Sequence, residues 1–222
     1  MDTRRDWLRA LSPIDTPGMW SAFDGSGRIS EPVLRYVDLE IDFGAIRREL
    51  AALPMTEVQP PALQALLVEK QNELSRMIDL VEQRDRPDFI EASVALFGAV
   101  EPELIELADR ILATVSPGEP LPADCGIDEV RSQVEDEIAW YRAQAPDFHI
   151  EVIIDTDISS SLMVSHGTFC IDGNIRLPRA RVRPLIQHEI GTHVVTRHNG
   201  RQQALRQLEV GLAQYDPTQE GL

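Results

Sequence analysis

The stretch Arg183-Pro-Leu-Ile-Gln-His-Glu-Ile-Gly-Thr-His193 holds two histidines and a glutamate within six residues, in the order H-E-x-x-x-H. Imidazole nitrogens are good zinc ligands, and a carboxylate beside the first histidine can accept a proton from a reacting water. His188 and His193 are therefore candidate metal ligands, and Glu189 is the candidate catalytic base. The alternative interpretation is a surface helix that carries two histidines by chance, because short motifs give false positives.

The spacing of the two histidines requires a distorted helix. In the common H-E-x-x-H motif the two histidines diverge by about 40° around the helix, whereas one additional residue increases this angle to about 140°. A one-residue π-bulge would widen the turn and bring the rings together, and such bulges cluster at functional sites. Gly191 lies inside the insertion, where an irregular backbone costs least. We therefore expect a metal site here only on a helix that contains a π-bulge.

A third ligand must come from elsewhere, because a catalytic zinc commonly has three protein ligands and one open position. Glu220, in the first turn of the last predicted helix, is the main candidate; its alternative role is to stabilise that helix N-terminus. His198 is the rival ligand, and it could instead orient substrate or cap the motif helix. His149 and His166 lie in or beside predicted strands, where we expect structural roles.

Composition limits the classes of protein. The chain has 222 residues, of which 43% are hydrophobic, as is typical of a globular protein. The longest apolar run, residues 92–100, is too short to cross a bilayer, and the N-terminus lacks the apolar core of a signal peptide. Cys125 and Cys170 form no C-x-x-C pair, which fits a reducing cytoplasm. The net charge of −16 argues against nucleic acid or an anionic membrane as a partner.

Positive charge is concentrated around the motif. Between residues 176 and 206 the only acid is Glu189, whereas there are seven arginines: Arg176, Arg179, Arg181, Arg183, Arg197, Arg201 and Arg206. One of them could hold an anionic substrate group such as a peptide C-terminal carboxylate, which arginine binds in bidentate fashion. The alternative is a solvated helix face.

Periodicity predicts an α+β fold. A short helix is predicted near Trp7 to Leu11, and the chain from 42 to about 145 is predicted to be helical, with prolines between the helices. Strands are predicted at 149–155, 161–165 and 168–171, with a possible short return over 175–177. We expect a mainly helical part (1–145) and a part with a small antiparallel sheet before the motif helix (146–222), in one continuous domain. A strand beside the site could pair with an extended peptide or simply close the core.

The remaining helices follow the sheet. The motif helix is predicted over 180–198, with Asn199-Gly200 as a left-handed cap, and a second helix over 202–214. Asp216, Pro217 and Gln219 predict the start of another helix with a capping box. Since the chain ends after about one and a half turns of that helix, we expect the sequence to be cut inside an element; a frayed natural tail is the alternative.

The end of the chain carries a specific set of motif positions: His188-Glu-Ile-Gly-Thr-His193, Thr196, Asn199-Gly200, Gln203, Leu208, Gly211-Leu212, Tyr215 and Gln219-Glu-Gly-Leu222. In these positions, residues 185–222 closely resemble the family described as a domain of unknown function with a QEGLA motif, whose animal members are the microtubule-associated tyrosine carboxypeptidases. Residues 158–167 and 43–70 resemble the family's strand-turn segment and its helical beginning. The resemblance implies a zincin-like metallopeptidase fold, with His188, His193 and Glu220 as zinc ligands and Glu189 as the base. It also implies truncation, because family members continue beyond this glutamate.

The predicted function is that of a zinc-dependent metallopeptidase, a carboxypeptidase that releases a C-terminal residue from a peptide or protein. Two alternatives stay open. The first is a non-catalytic metal-binding protein that acts through a partner, and the second is an aminopeptidase or dipeptidyl-peptidase with the same H-E-x-x-x-H motif. The sequence gives no indication of oligomeric state.

Overall fold

A computed structural model describes residues 10–31, 33–156, 158 and 160–222. Helices form most of the chain before residue 145, as predicted. They are α1 (Thr16–Gly25), α2 (Phe43–Ala51), a 3₁₀ turn (Met55–Glu57), α3 (Pro61–Glu82), α4 (Phe89–Phe97), α5 (Pro102–Thr114) and α6 (Ile127–Gln144). Of the short helix predicted near Trp7 to Leu11, residues 10 and 11 are helical and the others lie outside the described residues.

Helix α3 is the longest element of this part and packs against α2. Pro61 opens it at a position where proline's missing N–H costs nothing. Ile46 and Leu50 of α2 and Ile78 of α3 form a small buried cluster. Arg47 reinforces the contact through ion pairs with Asp79 and Glu82 of α3. Within the described ranges, no helix combines the length and the apolar character that crossing a bilayer requires.

The sheet has three strands, β1 (Glu151–Asp155), β2 (Leu162–Ser165) and β3 (Thr168–Asp172), in the order β1-β3-β2. The α+β class is confirmed, but the wholly antiparallel sheet that we predicted is wrong, because β1 pairs with β3 in parallel. β3 takes the central place because three consecutive residues, Phe169, Cys170 and Ile171, are buried. β2 is antiparallel to β3 through a tight turn at His166 and Gly167, both with positive φ as such hairpin turns require.

The possible return strand over 175–177 is reduced to a single bridge, in which Leu177 pairs with Cys125. The chain then enters the motif helix, which we define as three consecutive segments: α7 (Arg179–Ile186), a π-helix (Gln187–Val194) and α8 (Val195–Arg201). Its buried residues Val182, Ile186, Ile190 and Val194 pack with α6 and β3 in the main hydrophobic cluster. Helix α6 and strand β3 therefore hold the motif helix in place.

The motif helix ends later than predicted. It runs through Gly200 to Arg201, so the left-handed cap at Asn199-Gly200 is wrong. Gly200 is needed for a different reason, since a Cβ there would overlap the carbonyl of Leu208. The helix predicted over 202–214 is also wrong: only α9 (Gln207–Val210) is helical, and the positive φ of Gly211 and Gln214 prevents it from continuing.

The final helix, α10 (Asp216–Glu220), is present as predicted, but without the predicted capping box. Tyr215 occupies the N-cap position of α10. Among the described residues, no side chain makes a capping hydrogen bond to the start of this helix. Gln219 is buried, with 6% of its surface exposed. We call residues 211–222 the C-terminal arm.

Candidate metal centre

The two motif histidines lie on the π-helix that their spacing requires. Gln187–Val194 forms this widened segment, which confirms the expected distortion. It brings the His188 and His193 rings to 4.8 Å between centroids at a right angle, with their Nε2 atoms 3.2 Å apart. Gly191 leaves room for α6, because a Cβ there would lie 3.1 Å from the Tyr141 hydroxyl oxygen. The widened turn is thus packed against a neighbouring helix.

Glu220 reaches the same point from the C-terminal arm. Its Oε2 lies 3.4 Å from His188 Nε2, and its Oε1 lies 3.4 Å from His193 Nε2. The Glu220 side chain is 64% exposed, whereas the two histidines are 26% and 17% exposed. The site therefore combines two enclosed imidazoles with one carboxylate that approaches from the solvent side.

The distances fit a tetrahedral metal ion. Ligand atoms about 2.0–2.1 Å from such an ion lie about 3.3–3.4 Å from one another. Each of the three observed separations, 3.2, 3.4 and 3.4 Å, is of this size, and the two histidines approach different oxygens of Glu220. Hydrogen bonds alone explain the three contacts less well, since a ring N–H that donates to Glu220 cannot also donate to the other ring. These three residues could hold a divalent ion and leave its fourth position open.

Glu189 lies beside this group. Its carboxylate and one nitrogen of each of His188 and His193 lie within 4.8 Å of one another. Burial raises the pKa of Glu189, and the neighbouring histidines oppose this shift. The backbone N–H of Val164, in β2, faces the carboxylate and lowers its pKa. Strand β2 therefore lies next to Glu189 and the three possible ligands.

The other histidines lie away from the cluster. His198 Nε2 is 4.0 Å from Asp147 Oδ1, and its ring packs on Phe148 at 5.2 Å between centroids. His198, the rival candidate for the third ligand, thus contacts the loop before β1. His166 forms the β2–β3 turn with a φ of 50°, and His149 precedes β1. The structure assembles His188, Glu189, His193 and Glu220 and leaves these three outside.

Four of the seven arginines around the motif lie near acids of the chain. Arg179 pairs with Asp124 and Glu129. Glu209 accepts a hydrogen bond from Arg197 at 2.9 Å, and the guanidinium groups of Arg201 and Arg206 lie 3.8 and 3.9 Å from the same carboxylate. Three acids therefore offset part of the positive charge that the sequence concentrates around the motif.

Sequence reasoning missed two residues near the site. Lys70 and Glu73 of α3 form an ion pair whose side chains are only 14% and 12% exposed. Glu73 Oε1 accepts the backbone N–H of Gln214 at 2.8 Å, and Lys70 Nζ lies 3.5 Å from the Leu212 carbonyl. A Lys–Glu pair three residues apart is common on helix surfaces, so its sequence gave no signal of this contact.

Comparison with protein families gives the class of protein. Residues 21–222 match the family model of the microtubule-associated tyrosine carboxypeptidases, so the chain belongs to this family. The resemblance seen in the motif residues is thereby confirmed. The relationship is to carboxypeptidases, and hence to peptidases and hydrolases in general. Searches of curated proteins and of solved structures found no match.

Proposed function

We propose that this chain is a zinc-dependent carboxypeptidase that hydrolyses the last peptide bond of a peptide or protein. The observation that carries the proposal is that the Glu220 carboxylate lies 3.4 Å from the Nε2 atoms of both His188 and His193, which are themselves 3.2 Å apart. Membership of a carboxypeptidase family supports the choice of reaction. Hydrolysis at a C-terminus is therefore preferred to the aminopeptidase alternative.

His188, His193 and Glu220 would hold the zinc ion. When bound, zinc lowers the pKa of a water molecule to about 7 and polarises the scissile carbonyl. The two histidines are fixed by the packed motif helix, and Glu220 closes the site from the arm. Two separate parts of the chain thus support the three ligands.

Glu189 would act as the base. It accepts a proton from the attacking water and passes it to the amine that leaves. The N–H of Val164 faces the carboxylate, and burial favours the protonated carboxyl that must exist between the two transfers. The same side chain can therefore serve both proton transfers.

Strand β2 would align the substrate. In the described part of the chain it pairs with β3 on one side, and the N–H of Val164 points from it towards Glu189. Because the N–H of Val164 faces Glu189, an extended peptide could add to this edge as a further strand only through the other backbone groups of β2. Its last peptide bond would then lie across the face of the three ligands.

The test is Glu189→Gln, which keeps the side-chain volume and removes the base. We expect hydrolysis of a peptide with a blocked N-terminus to fall by about 10²–10⁴-fold, with zinc content unchanged. Glu57→Gln, an exposed change in the 3₁₀ turn, is the matched control and should leave the rate unchanged.

Parental hydrolysis by Glu189→Gln would refute the assignment of the base. Cleavage of only unblocked peptides by the parent chain would favour the aminopeptidase alternative. Zinc binding without hydrolysis of any peptide in a C-terminal library would favour a non-catalytic role.

A further inference from the structure

The C-terminal arm has few contacts of its own that could hold Glu220 in place. α10 has five residues, and a helix of that length is not stable alone. Within residues 211–222, all of which the structure describes, Gly211 and Gln219 are the buried positions. The orientation of an exposed Glu220 must therefore depend on contacts between the arm and the rest of the molecule.

Helix α3 supplies such contacts. Glu73 Oε1 accepts the N–H of Gln214 at 2.8 Å, and Lys70 Nζ lies 3.5 Å from the Leu212 carbonyl. Lys70 and Glu73 also pair with each other, largely shielded from solvent. The cation Lys70 thus approaches a backbone acceptor of the loop at 212–214, and the anion Glu73 accepts from a backbone donor of the same loop.

The hydrogen bond to Glu73 falls where the arm's backbone is strained. Gln214 has a φ of 57°, which is unfavourable for a residue with a side chain. A charge-assisted hydrogen bond is among the stronger contacts that can hold such a conformation. Gln214 is two residues before the start of α10, so the direction of that helix depends on this turn.

We propose that Glu73, supported by Lys70, is a positioning residue that sets the orientation of Glu220 towards His188 and His193. The inference rests on the proposed function in that it treats Glu220 as a metal ligand. Neither α3 residue needs to touch metal or substrate. The helical N-terminal part of the chain would then take part in assembling the site.

The test compares Glu73→Ala with Glu82→Ala, a change on the same helix. Glu82 is a suitable control because its ion-pair partner is Arg47 of α2. In the metal-free chain, we expect Glu73→Ala to accelerate hydrogen exchange of residues 212–222. Zinc affinity, measured by competition with a chelating dye, should fall by about 10–100-fold at unchanged stoichiometry. Glu82→Ala should change neither quantity.

A double mutant separates positioning from general stability. If Glu73 acts through Glu220, adding Glu73→Ala to Glu220→Ala should cause no further loss of zinc affinity, because the two changes remove one interaction. If Glu73 acts only by stabilising the fold, the two losses should add. Additive losses would overturn the proposal.

Two other results would overturn it: unchanged exchange of the arm in Glu73→Ala, or a loosened arm with parental zinc affinity. If the parent binds no zinc, the proposed function fails, and exchange of the metal-free arm alone decides whether Glu73 positions it. Should Glu73→Ala not fold, Glu73→Gln keeps an acceptor for Gln214 and removes the charge facing Lys70. It should shift both readouts in the same direction by a smaller amount, and no shift would contradict the proposal.

Discussion

The motif helix and the C-terminal arm both bring proposed ligands to one point, but different forces hold them there. The motif helix buries Val182, Ile186, Ile190 and Val194 in the main hydrophobic cluster. The arm has a five-residue helix and an exposed Glu220, and polar contacts to α3 hold the loop that precedes this helix. Packing therefore positions His188 and His193, whereas a few hydrogen bonds position Glu220.

This difference suggests how the site could respond to change. Apolar burial is distributed over many atoms, so the histidine pair should persist as long as the fold does. The arm depends on single groups, and loss of one can release Glu220 without unfolding the rest. Mutations in these two regions should therefore differ in what they affect.

The largest effect on stability should come from the motif helix. Ile190 is fully buried beside Glu189, and Ile190→Ala should lower the free energy of unfolding by about 2–5 kcal/mol. Leu222, at the end of the arm, is 84% exposed, and Leu222→Ala should change that free energy by less than about 0.5 kcal/mol. Urea denaturation of both variants would measure the contrast. Equal losses would contradict the division between the two regions.

A smaller effect, on the pH dependence of stability, should show whether the C-terminal arm packs against the rest of the chain. Burial raises the pKa of Tyr215 to about 12, above the usual 10. The folded chain thus keeps the phenol proton that the unfolded chain loses. The resulting contribution to stability is complete below pH 10 and is lost as pH rises towards 12. Tyr215→Phe should therefore weaken the fall in the urea midpoint between pH 9 and pH 11.

Tyr36→Phe is the control for this measurement, since Tyr36 lies before α2 and its pKa is also raised by burial, without so large a shift. It should alter the pH dependence less than Tyr215→Phe. If Tyr215→Phe leaves the alkaline loss of stability unchanged, the phenol titrates in water and the arm is not docked.

The parts of the site that could be predicted from sequence depend on local geometry. The angle per residue on a helix is enough to show that His188 and His193 need a π-bulge, and the structure has one. Residue type and the family resemblance pointed to Glu220, which the structure brings to both rings. Its role as a ligand stays a prediction.

Other features depend on contacts between distant residues. The order of the strands depends on which strand is buried on both faces, and no local pattern shows this. The parallel pairing of β1 with β3 was therefore missed. The helix predicted over 202–214 had a helical pattern, but positive φ values at Gly211 and Gln214 break it. The contact between Glu73 and Gln214 joins positions far apart in sequence, and no local pattern indicates it.

The measurement that tests the account most directly is zinc stoichiometry of the purified chain by elemental analysis, beside His188→Ala and Glu220→Ala. The account predicts one zinc per parent chain after dialysis and less than one in both variants, one from each region, because each variant keeps only two of the three ligands and binds zinc more weakly. Circular dichroism should show that both variants stay folded. A folded parent without zinc, or a Glu220→Ala variant that retains zinc with parental affinity, would contradict the three-ligand site.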